Sequence, residues 1–433
     1  MEREKIIETL SDWNFWFKEV ETGIKRGGCI DRAVNIIKSK EIGIISGIRR
    51  SGKSTILLQL AKELIKNKGV NPKNILIINF EDYRWEEYSL DLLSEIWKTY
   101  NENIHEKGEI YLFLDEIHNI KGWERFVRTL YDLKDINIFA TGSSSKLLSK
   151  EYATLLSGRY IPLFIYPLSF EEYLFFNKLD IKNSIELLAR KDELLKHLNN
   201  YMKMGGFPKY VLVKDRELLS SYFETIILKD IVERYKVKEI GNLRKLAVFY
   251  LTNIANRITY NSIKKFLHLP LNSIERYSYY FEQVFLIYFV PCFSYSLKSQ
   301  EKLPRKVYSA DNGLAEVLGF RFMENYGKFM ENLVFIELKR RFLKEEIYYY
   351  LKDNFEVDFV IKQGLKIKQL IQVCYSLEDE KTKKREIISL IKAGKELECR
   401  DLLVLTWDYK GIETSEGCRI KYMPLWQWLL LLG

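Results

Sequence analysis

Paired cysteines are what this sequence most plainly lacks. Its five, Cys29, Cys292, Cys374, Cys399 and Cys418, are scattered, odd in number and without a CxxC pair. That excludes a disulfide framework or a zinc knuckle and reads as reduced thiols in a cytoplasmic protein. A membrane-crossing run is missing too. The longest apolar stretch near the C-terminal end, Leu425 to Leu432, falls well short of the about 20 residues a bilayer requires. The opening residues Met1-Glu2-Arg3-Glu4-Lys5 mix both charges and lead into no apolar signal core, so no membrane partner is expected. Repeats and low-complexity tracts are also absent. What remains is 433 residues, 47% hydrophobic and 29% charged, enough for roughly two to four domains with cores of their own. A net charge of +9 over such a length permits nucleic-acid contact without requiring it.

The apolar pattern organises the chain. Residues 11–40 read as amphipathic helix broken at Gly27-Gly28. Four runs of strand type follow: Ile42 to Ser46, Ile75 to Phe80, Ile110 to Leu114 and Ile136 to Ala140, the last preceded by a helical stretch around Trp123 to Leu133. Nearly continuous apolar strands separated by helices predict a parallel sheet covered on both faces. From Ser169 to Tyr235 the period is helical, interrupted at Gly205-Gly206-Phe207-Pro208. A second helical group, Leu243 to Phe289, breaks at Leu269-Pro270, with short alternating segments near Phe285 to Phe293 and Lys306 to Tyr308. The last part begins with a helix at Phe329 to Leu343. Strands are expected at Ile347 to Leu351, Glu356 to Ile361, Ile367 to Tyr375 and Leu402 to Trp407.

Between the first strand and the helix after it, Gly47-Ile48-Arg49-Arg50-Ser51-Gly52-Lys53-Ser54-Thr55 fits the phosphate-loop pattern GxxxxGK[ST]. Gly47 and Gly52 let the backbone curl so that the N–H groups of Arg50, Ser51 and their neighbours face phosphate. Lys53 would reach the β- and γ-phosphates of ATP, Ser54 would ligate magnesium, and the helix beginning near Lys53 and Thr55 adds its positive end. The strand Ile110 to Leu114 delivers Asp115 to its C-terminal end, where it would hold magnesium through water. Glu116, one residue on, is placed to polarise the attacking water. The next strand ends in Thr141-Gly142-Ser143-Ser144. There Thr141 or Ser143 would sense the γ-phosphate or position the water, although turn chemistry also explains such a cluster. Arg159 is the candidate arginine finger; a surface pairing with a carboxylate explains it equally well. Arg49 and Arg50 are placed to meet phosphate or a neighbouring subunit, and His118 reads as a structural histidine.

Several segments together resemble one family. They are Gly47 to Ser54, Leu114-Asp115-Glu116-Ile117-His118, Thr141 to Ser145, Leu156-Ser157-Gly158-Arg159, Pro167-Leu168-Ser169-Phe170-Glu171-Glu172 and Glu331-Asn332-Leu333-Val334. They resemble the prokaryotic, mainly archaeal, AAA-type P-loop ATPases with a C-terminal domain related to PD-(D/E)XK nucleases. The resemblance covers nearly the whole chain. It implies an α/β fold: a P-loop NTPase core of the additional-strand type (1–165, with a helical lead), a helical lid (166–235), a winged-helix segment (236–310) and a restriction-endonuclease-like end (311–433). It also implies the standard ATPase roles for Lys53, Ser54, Asp115 and Glu116, and the sensor position for Thr141 or Ser143.

Helix-turn-helix spacing is visible in Thr259 to Phe266, the break at Leu269-Pro270, and Asn272 to Phe285. The second helix offers Asn272, Ser273, Arg276 and Tyr279, opposed by Glu275 and Glu282. Lys298, Lys302, Arg305 and Lys306 make a better electrostatic footprint for DNA, opposed only by Glu301; packing or protein contact explains the segment equally well. At the nuclease-like end, Glu331 and Asp358 match the first two acids of a magnesium site. Gln372 and Cys374 stand where an acid and a lysine belong, with Lys383 or Lys384 as substitutes for the lysine, so this end is expected not to cut. The expected function is an ATP-hydrolysing, magnesium-dependent switch that couples nucleotide state to DNA or protein binding, as a homo-oligomer if Arg159 acts between subunits. The alternatives are an ATP-dependent nuclease and a non-hydrolysing, nucleotide-gated DNA-binding regulator. A GTPase is disfavoured by the lack of an Asn-Lys-x-Asp motif.

Overall fold

The computed structural model describes residues 2–133, 136–143, 156, 158–319, 326–353, 355–377 and 380–430. They form two compact units, Met1–Ile165 and Tyr166–Gly433. Among the described residues no helix is long and apolar enough to cross a membrane.

The first unit is built on five parallel strands: β1 (Ile42–Ser46), β2 (Ile75–Asn79), β3 (Ile110–Asp115), β4 (Ile136–Gly142) and β5 (Tyr160–Phe164), in the order β2-β3-β4-β1-β5. Every residue of β1, β3 and β4 is buried, as their unbroken apolar runs require in a sheet covered on both sides. Alternate residues feed two cores. Ile44, Leu112 and Ile138 pack with Trp123 and Val127 of the helix Trp123–Leu133. Ile45, Phe113 and Phe139 pack with Ile56, Leu57 and Leu60 of the helix Lys53–Lys68. Gly43 is needed between them, because a Cβ there would lie 2.3 Å from the Phe139 ring. The order matters for chemistry: β4 pairs with both β1 and β3, so the ends of these three strands lie side by side.

Two features depart from the sequence reading. β5 was not expected. It carries Pro162 and pairs only with β1, and an edge is where a sheet tolerates proline. Residues 11–40 are not one helix broken at Gly27-Gly28: the helix Arg3–Trp13 stops early, and the next, Gly27–Ser39, starts at those glycines. The reason is Asn14, whose amide donates to Leu10 O and to Ile77 O at 2.8 Å each, while its carbonyl accepts from Ile77 N at 2.7 Å. With the Trp16 indole on Ile75 O at 2.8 Å, side chains cover the open edge of β2.

The second unit begins with helices, including Phe170–Phe176, Lys191–Met204, Pro208–Val213 and Arg216–Thr225, the last continuing as a π-helix over Ile226–Glu233. The interruption at Gly205 to Pro208 is present, with Pro208 opening a helix where its missing N–H costs nothing. Next come helices Ile240–Thr252, Tyr260–Leu267 and Leu271–Gln283 with an antiparallel sheet of β6 (Arg257–Ile258), β7 (Ile287–Pro291) and β8 (Arg305–Ser309), in the order β6-β8-β7. Finally the helix Tyr326–Arg341 precedes β9 (Glu346–Lys352), β10 (Phe355–Gln363) and β11 (Lys366–Cys374), an antiparallel meander. The helix Glu380–Glu396 then leads to β12 (Leu402–Thr406), parallel to β11, and β13 (Gly411–Ser415) and β14 (Cys418–Pro424) complete a six-stranded sheet.

Asn14→Ala removes a buried amide that satisfies both groups of Ile77, and should lower unfolding stability by about 2 kcal/mol. Urea denaturation followed by tryptophan fluorescence measures this. A loss under about 0.5 kcal/mol would mean that the edge of β2 does not depend on Asn14.

Candidate functional site

The phosphate loop leaves β1 at Gly47, where a Cβ would lie 2.1 Å from Ile165 O; only glycine fits. Arg50 and Gly52 both take left-handed backbone, at φ 69° and 102°, and such turns point successive N–H groups into one concavity. The helix Lys53–Lys68 starts at once, adding its unpaired N–H groups to the same place. Lys53 is buried, its ammonium donating to Gly47 O at 3.1 Å and Ile48 O at 3.3 Å. Ser54 and Arg50 are exposed, Ser51 is buried and Thr55 half-buried. Arg49 pairs with Glu81 at 3.2 Å.

One contributor was missed by the sequence reading. Arg26 donates from Nη1 to Ser51 O at 2.9 Å, and its own backbone N–H bonds to Gln59 Oε1 at 3.0 Å. It braces the outside of the loop from a segment 25 residues upstream, and no local motif marks such a contact.

Beside the loop stand the ends of β3 and β4. Asp115 is buried, and its Oδ1 accepts from the Thr141 hydroxyl at 2.5 Å and its carboxylate from the Ser54 hydroxyl. The same Thr141 oxygen accepts from the Glu116 N–H at 2.9 Å. Burial first, then the neighbouring Glu116 charge, push Asp115 up to about 6, against the pull of Thr141, Ser54 and Lys53. Glu116 takes left-handed backbone at φ 54°, which turns its side chain away from the strand, and its Oε2 lies 3.2 Å from His118 Nδ1. His118, read from sequence as structural, therefore touches the candidate base. Thr141 is joined to both acids, while Ser143 is buried nearby at the end of the same segment. Ser144, Ser145 and Ser157 lie outside the described residues.

Oxygen donors on Ser54 and Asp115 suit a hard divalent cation, and the glycine-lined loop with Lys53 suits a polyphosphate, so these residues fit magnesium-bound ATP.

Arg159 stands away from the phosphate loop of its own chain. It precedes β5, where its carbonyl accepts from Ile42 N at 3.1 Å, so it lies at the N-terminal edge of the sheet. The phosphate loop lies at the other edge, roughly 15 Å away at about 3.3 Å per strand residue. Its guanidinium pairs with Asp132 and lies 5.5 Å over the Tyr131 ring. It cannot reach the phosphate loop of its own chain.

The second unit holds another cluster. Glu331 of the helix Tyr326–Arg341 and Glu356 and Asp358 of β10 surround one ammonium, that of Lys306 on β8, at 2.8, 2.6 and 2.8 Å. Lys306 is buried, which removes it from the DNA footprint expected of Lys298, Lys302, Arg305 and Lys306. Arg305 is half-buried, its guanidinium over the Tyr260 ring, whereas Lys298 and Lys302 are exposed. The lysine that meets these acids is therefore Lys306, not Lys383 or Lys384. Burial and the Asp358 charge raise Glu331 to about 7, and burial raises the Cys374 thiol to about 11. A cavity of about 410 Å³ opens beside the cluster, lined by Glu331, Asp358, Gln372 and Glu386 among others. On the helix Leu271–Gln283, Asn272, Glu275, Arg276 and Tyr279 are exposed, while Glu282 is half-buried and raised by that burial to about 7.

Comparison with known proteins places these features. Residues 39–174 match the model of an AAA domain, residues 195–324 a domain of unknown function (DUF8612), and residues 326–428 another (DUF4143). The uncharacterized protein MJ1544 of Methanocaldococcus jannaschii is 37% identical, covering 98% of this chain and 97% of its own. An uncharacterized protein of Haemophilus influenzae is 29% identical, covering 93% of this chain and 98% of its own. Among solved structures, the Walker-type ATPase PABY2304 of Pyrococcus abyssi aligns with a TM-score of 0.41 at 16% identity, covering 68% of this chain and 95% of that one. With its parallel sheet, its phosphate loop, the AAA-domain match and the 37% identity to MJ1544, the chain belongs to the family of MJ1544, and its first unit carries the AAA-type P-loop ATPase fold.

Proposed function

We propose that this protein is a magnesium-dependent ATPase whose first unit hydrolyses ATP and whose second unit responds to the nucleotide by binding a partner. The observation that carries the reading is the Thr141 hydroxyl, which joins Asp115 and Glu116 beside the phosphate loop. ATP would be held by Gly47, Arg50, Ser51, Gly52, Lys53 and Thr55, with Ser54 and Asp115 as the residues toward magnesium, which supplies charge neutralisation at the phosphates when bound. Lys53 donates to phosphate oxygens. Glu116 accepts the proton of the attacking water. Thr141 is a positioning residue: one bond fixes the Asp115 carboxylate and the other fixes the backbone from which Glu116 departs. Arg159 would act only on a neighbouring copy, so a role for it requires an oligomer.

For the partner, DNA is the favoured class. Three helices with a sheet in the order β6-β8-β7 support a winged-helix reading, and Asn272, Arg276, Tyr279, Lys298 and Lys302 are exposed on it. The order helix, three strands, helix, strand from Tyr326 to Thr406 supports a nuclease-like end. Cleavage is not proposed, because Gln372 is neutral and the raised Cys374 thiol provides no cation.

Lys53→Ala should abolish ATP binding in a fluorescent-nucleotide titration. Glu116→Gln should bind ATP as well as the parent and hydrolyse it at least about a hundredfold more slowly; normal turnover would remove Glu116 from the mechanism. Replacing Lys298 and Lys302 by alanine should lower DNA affinity and flatten the log–log salt slope by roughly 2. If the parent protein binds no DNA at low salt, the partner is a protein and the winged-helix surface is its contact.

A further inference from the structure

We propose that Lys306 is a built-in cation occupying the place a divalent metal ion would need between Glu331, Glu356 and Asp358, so that the carboxylate cluster of the second unit excludes metal.

The geometry is that of an ammonium site. Three carboxylate oxygens stand 2.6 to 2.8 Å from one nitrogen, a shell set by N–H donors. Magnesium draws its oxygens to about 2.1 Å and calcium to about 2.3–2.6 Å. Each of the three carboxylates also has another partner. Glu331 Oε1 accepts from the Tyr308 hydroxyl at 2.7 Å as well as from Lys306. Glu356 Oε2 faces Arg257 at 3.3 Å, and Asp358 Oδ2 accepts from Val373 N at 2.9 Å. Gln372, the neutral residue at the third acid position, has its carbonyl on Asp358 N at 3.3 Å and its amide on Glu386.

Lys306 is not free to leave. It lies on the middle strand of β6-β8-β7, with its side chain 2% exposed. Two residues along the same face, Tyr308 stacks on Phe335 at 4.3 Å while holding Glu331. A metal ion entering the cluster from the adjoining cavity would meet a positive charge fixed at contact distance of all three carboxylates. The ammonium does the neutralising that such a cluster would otherwise ask of a metal.

The test uses the full chain carrying Asp115→Asn, which removes the metal-facing acid of the nucleotide unit, and follows manganese by electron paramagnetic resonance and by melting temperature. With Lys306 present, no manganese should bind below millimolar concentration and the melting temperature should not move. Lys306→Met should lower the melting temperature, and manganese should restore it while binding one site at least tenfold more tightly than before. Adding Asp358→Asn should abolish that gain, and Lys306→Arg should behave like the parent. Tight manganese binding with Lys306 present, lost on Asp358→Asn, would overturn the proposal, as would a folded Lys306→Met protein that gains no metal. Should Lys306→Met fail to fold even with manganese, the comparison of Lys306-containing protein with its Asp358→Asn form decides alone.

Discussion

A strand buried on both faces has one place to present chemistry, which is its end. That constraint organises the first unit. β1, β3 and β4 are apolar and buried along their lengths, so their side chains can serve only the two cores. Polar function is pushed to the C-terminal edge, where the phosphate loop, Asp115 and Thr141 emerge next to one another. Because β4 lies between β1 and β3, the Thr141 hydroxyl comes within bonding distance of Asp115, and the whole candidate site follows from that pairing order. The same constraint disqualifies Arg159 within its own chain, since it stands at the other end of the same strands.

The two units solve the burial of charge in different ways. In the first, two adjacent acids are buried with hydroxyl donors and a nearby lysine, and the Asp115 carboxyl is left raised to about 6. In the second, burial opposes the charge on Lys306, but Asp358, Glu331 and Glu356 outweigh it and hold its pKa well above the ordinary lysine range. There the compensating cation is internal, supplied by the chain's own lysine. Similar residue types are thus compensated by hydroxyl donors beside a lysine in one unit and by a central ammonium in the other.

What the sequence made legible was local. β1 and the helix Trp123–Leu133 fall at their expected bounds, because an unbroken apolar run and an amphipathic turn each announce themselves within a few residues. The phosphate loop and the acid pair follow from motif and position. β5 was hidden by Pro162, β6 by its length of two residues, and β13 by its exposed edge position. Arg26 and Lys306 were hidden for a different reason. Their partners stand 25 or more residues away in the chain, and no window of sequence shows which strand will bring a lysine beneath three acids. Lys306 looked like surface charge because its neighbours Lys302 and Arg305 are basic too.

The covering of β2 by Asn14 and Trp16 bears on how this protein behaves outside its native state. β2 is the open side of a sheet whose strands are otherwise paired or, at β5, interrupted by proline. The hydrogen bonds of Asn14 and Trp16 to Ile77 and Ile75 are a light closure for such an edge, held in place by a segment with little regular structure of its own. Wherever residues 14–26 peel away, in a proteolytic fragment or during synthesis of a shortened chain, Ile75 to Asn79 would present unpaired N–H and C=O groups on an apolar strand. That is a template for another strand, so loss of this cover opens a route to self-association beside simple unfolding.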